Sequence, residues 1–164
     1  MAGANATIIG SARVSHRYHR LMAKLELSRD LSLPSERAWA HASDLGELGA
    51  WLSLHQGWRC DLPDQLTAGT TLVGVAGAKG MRNRVTWTVD TFEPPALLEL
   101  TGAGVGGTKY GLSLAIAPAG AGSRFTLRLE MGGRPLFGPI GAAAARAVKG
   151  DIEGSIRRFE ELYG

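Results

Sequence analysis

The spacing of the apolar residues changes once along this chain, and that change constrains the fold more than any other feature. Over residues 70–131 apolar and polar residues alternate in short runs separated by Gly and Pro, which is typical of antiparallel strands. Over residues 136–163 the apolar residues recur every three or four positions, which is typical of an amphipathic helix. The sequence therefore predicts an α+β domain in which a curved antiparallel sheet wraps around a long C-terminal helix. Such packing commonly leaves a space for a small molecule between sheet and helix.

The segment before the alternating region predicts one strand and two short helices. Alternating leucines predict a first strand over residues 24–33, and Pro34-Ser35-Glu36 then opens a helix with Ser35 as its N-cap. A second short helix is predicted around Trp51, and a short strand at residues 58–62. The two helices are therefore inserted directly after the first strand.

Composition limits the class of protein. The 164 residues are 45% apolar and 20% charged, which predicts one folded domain with a substantial core. No apolar run approaches the roughly 20 residues that a membrane span needs. Cys60 is the single cysteine and cannot form an internal disulfide, which suits a reducing compartment, so a cytoplasmic location is expected.

The excess positive charge is confined to the first 21 residues. This segment holds Arg13, Arg17 and Arg20 and no acidic residue, whereas residues 22–164 carry 15 basic and 15 acidic side chains. A neutral domain lacks the basic face that phosphate binding requires, so no nucleic-acid partner is expected. We interpret residues 1–21 as a disordered lead or an upstream-start extension, and residues 22–164 as a single domain.

Two patterns suggest cofactor or metal sites, and neither is supported by its context. The Gly102–Gly107 run matches G-x-G-x-x-G, but a dinucleotide site needs a helix after that turn and here the sequence alternates as a strand. A glycine-rich bend is the preferred interpretation. His41, Asp44 and His55 lack the ligand spacing of a zinc site. No metal and no cofactor are therefore expected.

An apolar pocket is the best candidate site. Aromatic side chains from segments that should surround the space under the helix are its candidate walls, with one polar residue among them: Trp51, His55, Trp58, Trp87, Tyr110 and Phe137. His55 is the candidate orienting group, because an apolar environment keeps an imidazole neutral and able to donate or accept a hydrogen bond. The alternative is a loop histidine that merely packs against aromatic rings.

Short motifs along residues 24–164 carry a resemblance to a known superfamily. They are His41-Ala42-Ser43-Asp44-Leu45, Trp51-Leu52, His55, Trp58-Arg59, Lys79-Gly80-Met81, Asn83-Arg84 with Trp87, Gly102–Gly107, Leu136-Phe137-Gly138-Pro139-Ile140-Gly141 and Asp151-Ile152. With the element order, they resemble the SRPBCC superfamily, which has the START-like helix-grip fold. Within it, the domain resembles the polyketide cyclase/dehydrase and lipid-transport group. It is most similar to an actinobacterial subfamily described as SRPBCC-type toxins of type II toxin–antitoxin pairs.

The resemblance implies three functions. The superfamily implies a cavity that binds a hydrophobic small molecule, lipid-like or polyketide-like, and this is the leading hypothesis. The cyclase group implies an alternative, an enzyme of the polyketide cyclase/dehydratase type with His55 as acid or base. The toxin subfamily implies a third, a protein neutralised by a small antitoxin-like partner.

Overall fold

The computed structural model describes residues 22–77, 82–133 and 138–164, and at residues 22–23 and 138–145 it describes the backbone alone. The predicted lead at residues 1–21 and the candidate pocket residue Phe137 lie outside the described residues.

The elements follow the order that the sequence predicts. The strands are β1 (Met22–Leu31), β2 (His55–Trp58), β3 (Thr71–Ala76), β4 (Asn83–Glu93), β5 (Leu97–Gly104), β6 (Lys109–Ala119) and β7 (Gly122–Gly132). The helices are α1 (Ser35–Ala42), α2 (Leu48–Trp51) and the C-terminal α3 (Gly138–Tyr163). Short 3₁₀ turns at Leu45–Glu47 and Val105–Gly107 complete the described elements.

All seven strands form one antiparallel sheet in the order β1-β7-β6-β5-β4-β3-β2. The chain adds strands one after another from β2 to β7, and β1 then pairs with β7 at the far edge. The insertion between β1 and β2 holds α1 and α2, as predicted. The START-like helix-grip fold is therefore confirmed.

Strict alternation produces the apolar face of this sheet. In β4, Val85, Trp87 and Val89 are buried, while Thr86 and Thr88 between them are less so. Helix α3 buries its own apolar stripe, whose described members are Val148, Ile152, Ile156 and Phe159. Burial of each such side chain contributes about 1.5–3 kcal/mol. The two apolar faces share one core.

An ion pair ties the edge strand to the C-terminal helix. Arg29 of β1 donates to Glu160 of α3 from Nε at 2.9 Å and from Nη2 at 3.1 Å. Both hydrogen bonds of this bidentate pair connect the sheet to the last third of the helix and help to orient the helix on the sheet.

Two local predictions are wrong. Residues 58–62 were predicted as a strand, but β2 lies earlier and Trp58 is its last residue. Gly57, with φ of 136°, interrupts the register with β3, and no alternation of side chains marks such a bulged strand. Ser35 is not the N-cap of α1: Pro34 occupies that position, and its carbonyl accepts from the Ala38 N–H at 3.0 Å.

The glycine run divides into two structures. Gly102 and Gly104 belong to β5, contrary to the prediction of a bend throughout. Gly106 and Gly107, with φ of 77° and 82°, do form the expected turn before β6. The next segment is a strand and not a helix, which agrees with the rejection of a dinucleotide site.

Candidate functional site

Two tryptophan rings lie flat across glycines on the concave face of the sheet. A Cβ atom on Gly102 would lie 2.9 Å from Cε3 of Trp87, and a Cβ atom on Gly74 would lie 3.0 Å from Cε3 of Trp58. Each ring therefore occupies the volume that a side chain on the neighbouring strand would need. The glycines make room for these two large rings, which we call the apolar wall.

His55 lies beside this wall at the edge strand. Its ring packs against Trp58 with 4.4 Å between centroids, and only 9% of the residue is exposed. Burial lowers the pKa of His55 from 6.5 to about 4, because the charged imidazolium loses its solvation. The imidazole is consequently neutral at physiological pH, as the sequence predicted from its aromatic neighbours.

Trp58 connects the sheet edge to the helical insertion. Its indole Nε1 donates to the Leu45 carbonyl at 2.8 Å, while its ring covers Gly74. The polar atom is therefore used within the protein, which fixes the orientation of the ring.

A polar network closes one end of the wall. Asn83 donates from Nδ2 to Thr108 Oγ1 at 2.7 Å and to Tyr110 Oη at 2.9 Å, and its Oδ1 accepts from the Val105 N–H at 2.8 Å. The Tyr110 ring lies 6.0 Å from that of Trp87. Tyr110 was predicted as a site residue, whereas Asn83 and Thr108 were not.

The sequence signal for this network was weak. Asn83 is the first residue of β4, and an amide on the inward face of such an alternating strand is unusual. Thr108 is one of many threonines in the sequence. The hydrogen bond between Asn83 and Thr108 depends on the pairing of β4 with β5 and on the 3₁₀ turn that follows β5. Neither can be recognised without the register.

Trp51 lies in the helix–sheet core. It is fully buried, with its ring edge-on to Phe125 at 5.6 Å and to Phe159 at 5.2 Å. Among the residues that the structure describes, none accepts a hydrogen bond from its Nε1. The predicted set is thus divided: His55, Trp58, Trp87 and Tyr110 are carried by the sheet, while Trp51 packs under α3.

His41 and Asp44 take structural positions. His41 stacks on Tyr163 at the end of α3, with 4.0 Å between ring centroids, and its Nδ1 lies 2.9 Å from Glu47 Oε2. Asp44 caps the start of the 3₁₀ turn by accepting from the Gly46 N–H at 3.0 Å. Burial, and then the nearby Glu47 carboxylate, raise the pKa of the Tyr163 phenol.

His41, Asp44 and His55 form no metal site in this structure. The described part of the chain brings no three metal-ligating side chains together.

The convex face of the sheet carries a depression of different character. It has a volume of about 140 Å³, and its charged lining comes from Asp90, Glu99, Arg128 and Glu130. Arg128 lies 3.8 Å from Glu99, and both are partly solvent-exposed. Mixed, hydrated charges of this kind suit a polar surface and not an apolar ligand.

Comparison with known proteins decides the family. Residues 22–164 match the family model described as polyketide cyclase / dehydrase and lipid transport. The chain belongs to this family. The match covers all of the described strands and helices, and it confirms the resemblance that the motifs carry. No helix within the described ranges is long and apolar enough to cross a membrane.

Two relatives and one solved structure are similar to the chain over most of its length. It is 57% identical over 143 residues to the uncharacterized protein Rv1546 of Mycobacterium tuberculosis, covering 87% of this chain and 100% of that protein. It is 42% identical over 142 residues to the toxin Rv0910 of the same organism, covering 87% and 99%. The crystal structure of TTHA0849 from Thermus thermophilus superimposes with a TM-score of 0.68 at 21% identity, over 85% of this chain and 95% of that one.

Proposed function

We propose that this protein binds a hydrophobic small molecule, lipid-like or polyketide-like, in the space between the concave sheet and α3. The observation that carries the proposal is the pair of Trp58 and Trp87 rings laid across Gly74 and Gly102. Ligand sites combine an apolar, aromatic lining with a few placed polar groups. His55 and the Asn83 network supply polar groups at the margins of this wall.

The expected affinity follows from area. Burial of about 300 Å² of ligand surface contributes roughly 7 kcal/mol before the costs of association. Those costs consume several kcal/mol, which leaves an affinity of roughly 0.1–1 mM for a simple apolar ligand. A ligand that also uses the polar groups should bind more tightly.

A titration with fluorene, a rigid apolar probe, tests the proposal. Binding is followed by quenching of tryptophan fluorescence in the full chain, its Trp87→Leu variant and a matched control, Trp39→Leu. Trp39 is as buried as Trp87, but it packs against Phe92 from α1. We expect the Trp87 variant to lose about five- to tenfold in affinity and the Trp39 variant to bind normally. Equal affinity in both folded variants would contradict the assignment of the wall.

The chemistry of His55 favours binding over acid–base catalysis. A general base is most effective when its pKa lies near the working pH. Burial holds the pKa of His55 at about 4, well below that range. A neutral imidazole of this kind serves best as a hydrogen-bonding group that orients a ligand.

A second candidate function, that of a toxin held inactive by a small partner protein, is favoured by one observation. The relative at 42% identity is named a toxin, and its match covers nearly its whole length. Expression of this chain in a bacterial host should then arrest growth, and co-expression of a small neighbouring gene product should restore it. Unaffected growth at high expression would count against this function.

A further inference from the structure

The Asn83 amide has a fixed orientation. The Val105 backbone N–H lies 2.8 Å from one of its terminal atoms, and an N–H can only donate, so that atom must be the oxygen Oδ1. The opposite atom is therefore the nitrogen Nδ2. It faces two hydroxyl oxygens, Thr108 Oγ1 at 2.7 Å and Tyr110 Oη at 2.9 Å. Both of its hydrogens are used.

This orientation determines where the hydroxyl hydrogens go. Thr108 accepts from Asn83 and donates its own hydrogen to the Val105 carbonyl at 3.1 Å. Tyr110 likewise accepts from Asn83, so its hydrogen must point away from the amide. Among the described residues, none accepts a hydrogen bond from Tyr110 Oη.

The Tyr110 hydroxyl, which donates to no residue within the described ranges, lies at the apolar wall. Tyr110 pairs with Gly102 on one side and with buried Met131 on the other, so its ring is on the concave face in the same row as Trp87. Half-buried Asn83, which also donates to buried Thr108, donates to the phenol oxygen. The Tyr110 hydroxyl is therefore oriented to donate one hydrogen bond to a molecule that contacts the Trp87 ring.

We propose that Tyr110 is the hydrogen-bond donor of the site, and that its ligands are neutral apolar molecules carrying a carbonyl oxygen, which the Tyr110 hydroxyl recognises. Asn83 is the positioning residue, because it takes the lone pair of the phenol and thereby turns the O–H outward. A carbonyl fits because it accepts without donating. This inference rests on the proposed function and adds the ligand class to it.

The test uses two probes of nearly the same shape, fluorene and 9-fluorenone, in which the CH₂ group of the first is replaced by a carbonyl group in the second. A neutral hydrogen bond contributes roughly 1 kcal/mol net, which corresponds to about a fivefold change in affinity. We expect Tyr110→Phe to bind fluorenone about five- to tenfold more weakly than the wild type, with fluorene affinity changed less than twofold. Tyr163→Phe, which removes a hydroxyl at the far end of α3, is the matched control and should leave both affinities unchanged.

Asn83→Asp tests the positioning separately. A carboxylate at this position accepts from the phenol, so the Tyr110 hydrogen turns inward although the tyrosine is intact. We expect this variant to lose the same factor for fluorenone and to keep its fluorene affinity, with folding checked by thermal melting. Unchanged fluorenone affinity in folded Asn83→Asp would overturn the positioning role.

The outcomes separate the two levels of the proposal. If fluorene and fluorenone both bind but Tyr110→Phe changes neither affinity, the carbonyl assignment is overturned while the hydrophobic site stands. If the wild-type protein binds neither probe, the proposed function fails and the donor assignment fails with it. Selective loss of fluorenone in both variants supports the proposal in full.

Discussion

His55 is a buried residue whose charge depends strongly on its surroundings. Burial places its pKa at about 4 in the folded protein, against 6.5 for an exposed imidazole. Between these values the unfolded chain binds a proton that the folded protein does not. Stability from this group is therefore fully present above pH 6.5 and is lost as the pH falls toward 4.

The first prediction follows from that difference. Because a tenfold difference in proton affinity corresponds to about 1.4 kcal/mol, wild-type protein should lose roughly 2–3 kcal/mol of unfolding free energy through His55 between pH 6.5 and 4. The His55→Gln variant lacks this contribution. Urea unfolding at several pH values should show a shallower acid dependence in the variant. Parallel pH profiles for the two proteins would contradict the buried, neutral imidazole.

Glycine residues provide a second prediction at this scale. A Cβ atom on Gly102 would lie 2.6 Å from Val85 Cγ1 and 2.9 Å from the Trp87 ring, so Gly102→Ala must displace the wall. We expect a loss of about 1–3 kcal/mol in unfolding free energy, as for other overpacked cores, together with weaker fluorene binding.

Gly154→Ala is the matched control for that substitution. Gly154 is an exposed residue within α3, and a Cβ atom there would meet nothing within 4 Å. Since alanine favours a helix over glycine, this variant should gain about 0.5–1 kcal/mol. Urea denaturation of both variants measures the two effects. A stable Gly102→Ala protein with normal probe affinity would show that the ring does not depend on the glycine.

The positions of the central strands and of α3 could be predicted from the sequence. Alternation located the central strands, because Val85, Trp87 and Val89 must share the buried face of β4. The spacing of Ile152, Ile156 and Phe159 likewise located α3. These periodicities are local properties, and burial on one face enforces them.

Features that depend on pairing between distant strands could not be predicted in this way. The rings of Trp58 and Trp87 lie over Gly74 and Gly102, which belong to neighbouring strands, and the Asn83 network needs the register of β4 with β5. Tyr110 was selected for its aromatic ring, and its hydrogen bond with Asn83 became visible only with the register. The sequence therefore selected aromatic residues, whereas their partners across the sheet required the structure.

The ion pair between Arg29 of β1 and Glu160 of α3 should contribute to the stability of the protein. Arg29 and Glu160 are partly exposed, at 40% and 37%, so solvent screens their bidentate ion pair. We expect Glu160→Gln to reduce the unfolding free energy by about 0.5–1 kcal/mol. The control is Asp30→Asn, because the pair of Asp30 with Arg124 is more exposed and lies within the sheet. The control should lower the melting temperature less, and equal effects would show that the helix contact is not special.

The whole molecule is proposed to fold as a single domain over residues 22–164, the residues that match the family model. We predict that deletion of residues 1–21 leaves the melting temperature and the fluorene affinity unchanged. Differential scanning calorimetry of the full and shortened chains measures the first quantity. A large fall in melting temperature on deletion would contradict the proposed boundary.

We propose that the sheet and α3 enclose a site for a hydrophobic molecule. Mass spectrometry of the purified full chain, first under native and then under denaturing conditions, tests this site. We expect additional bound mass under native conditions, from a ligand retained from the host or from added fluorenone, which denaturation releases. A single unliganded mass, unchanged after incubation with fluorenone, would contradict it.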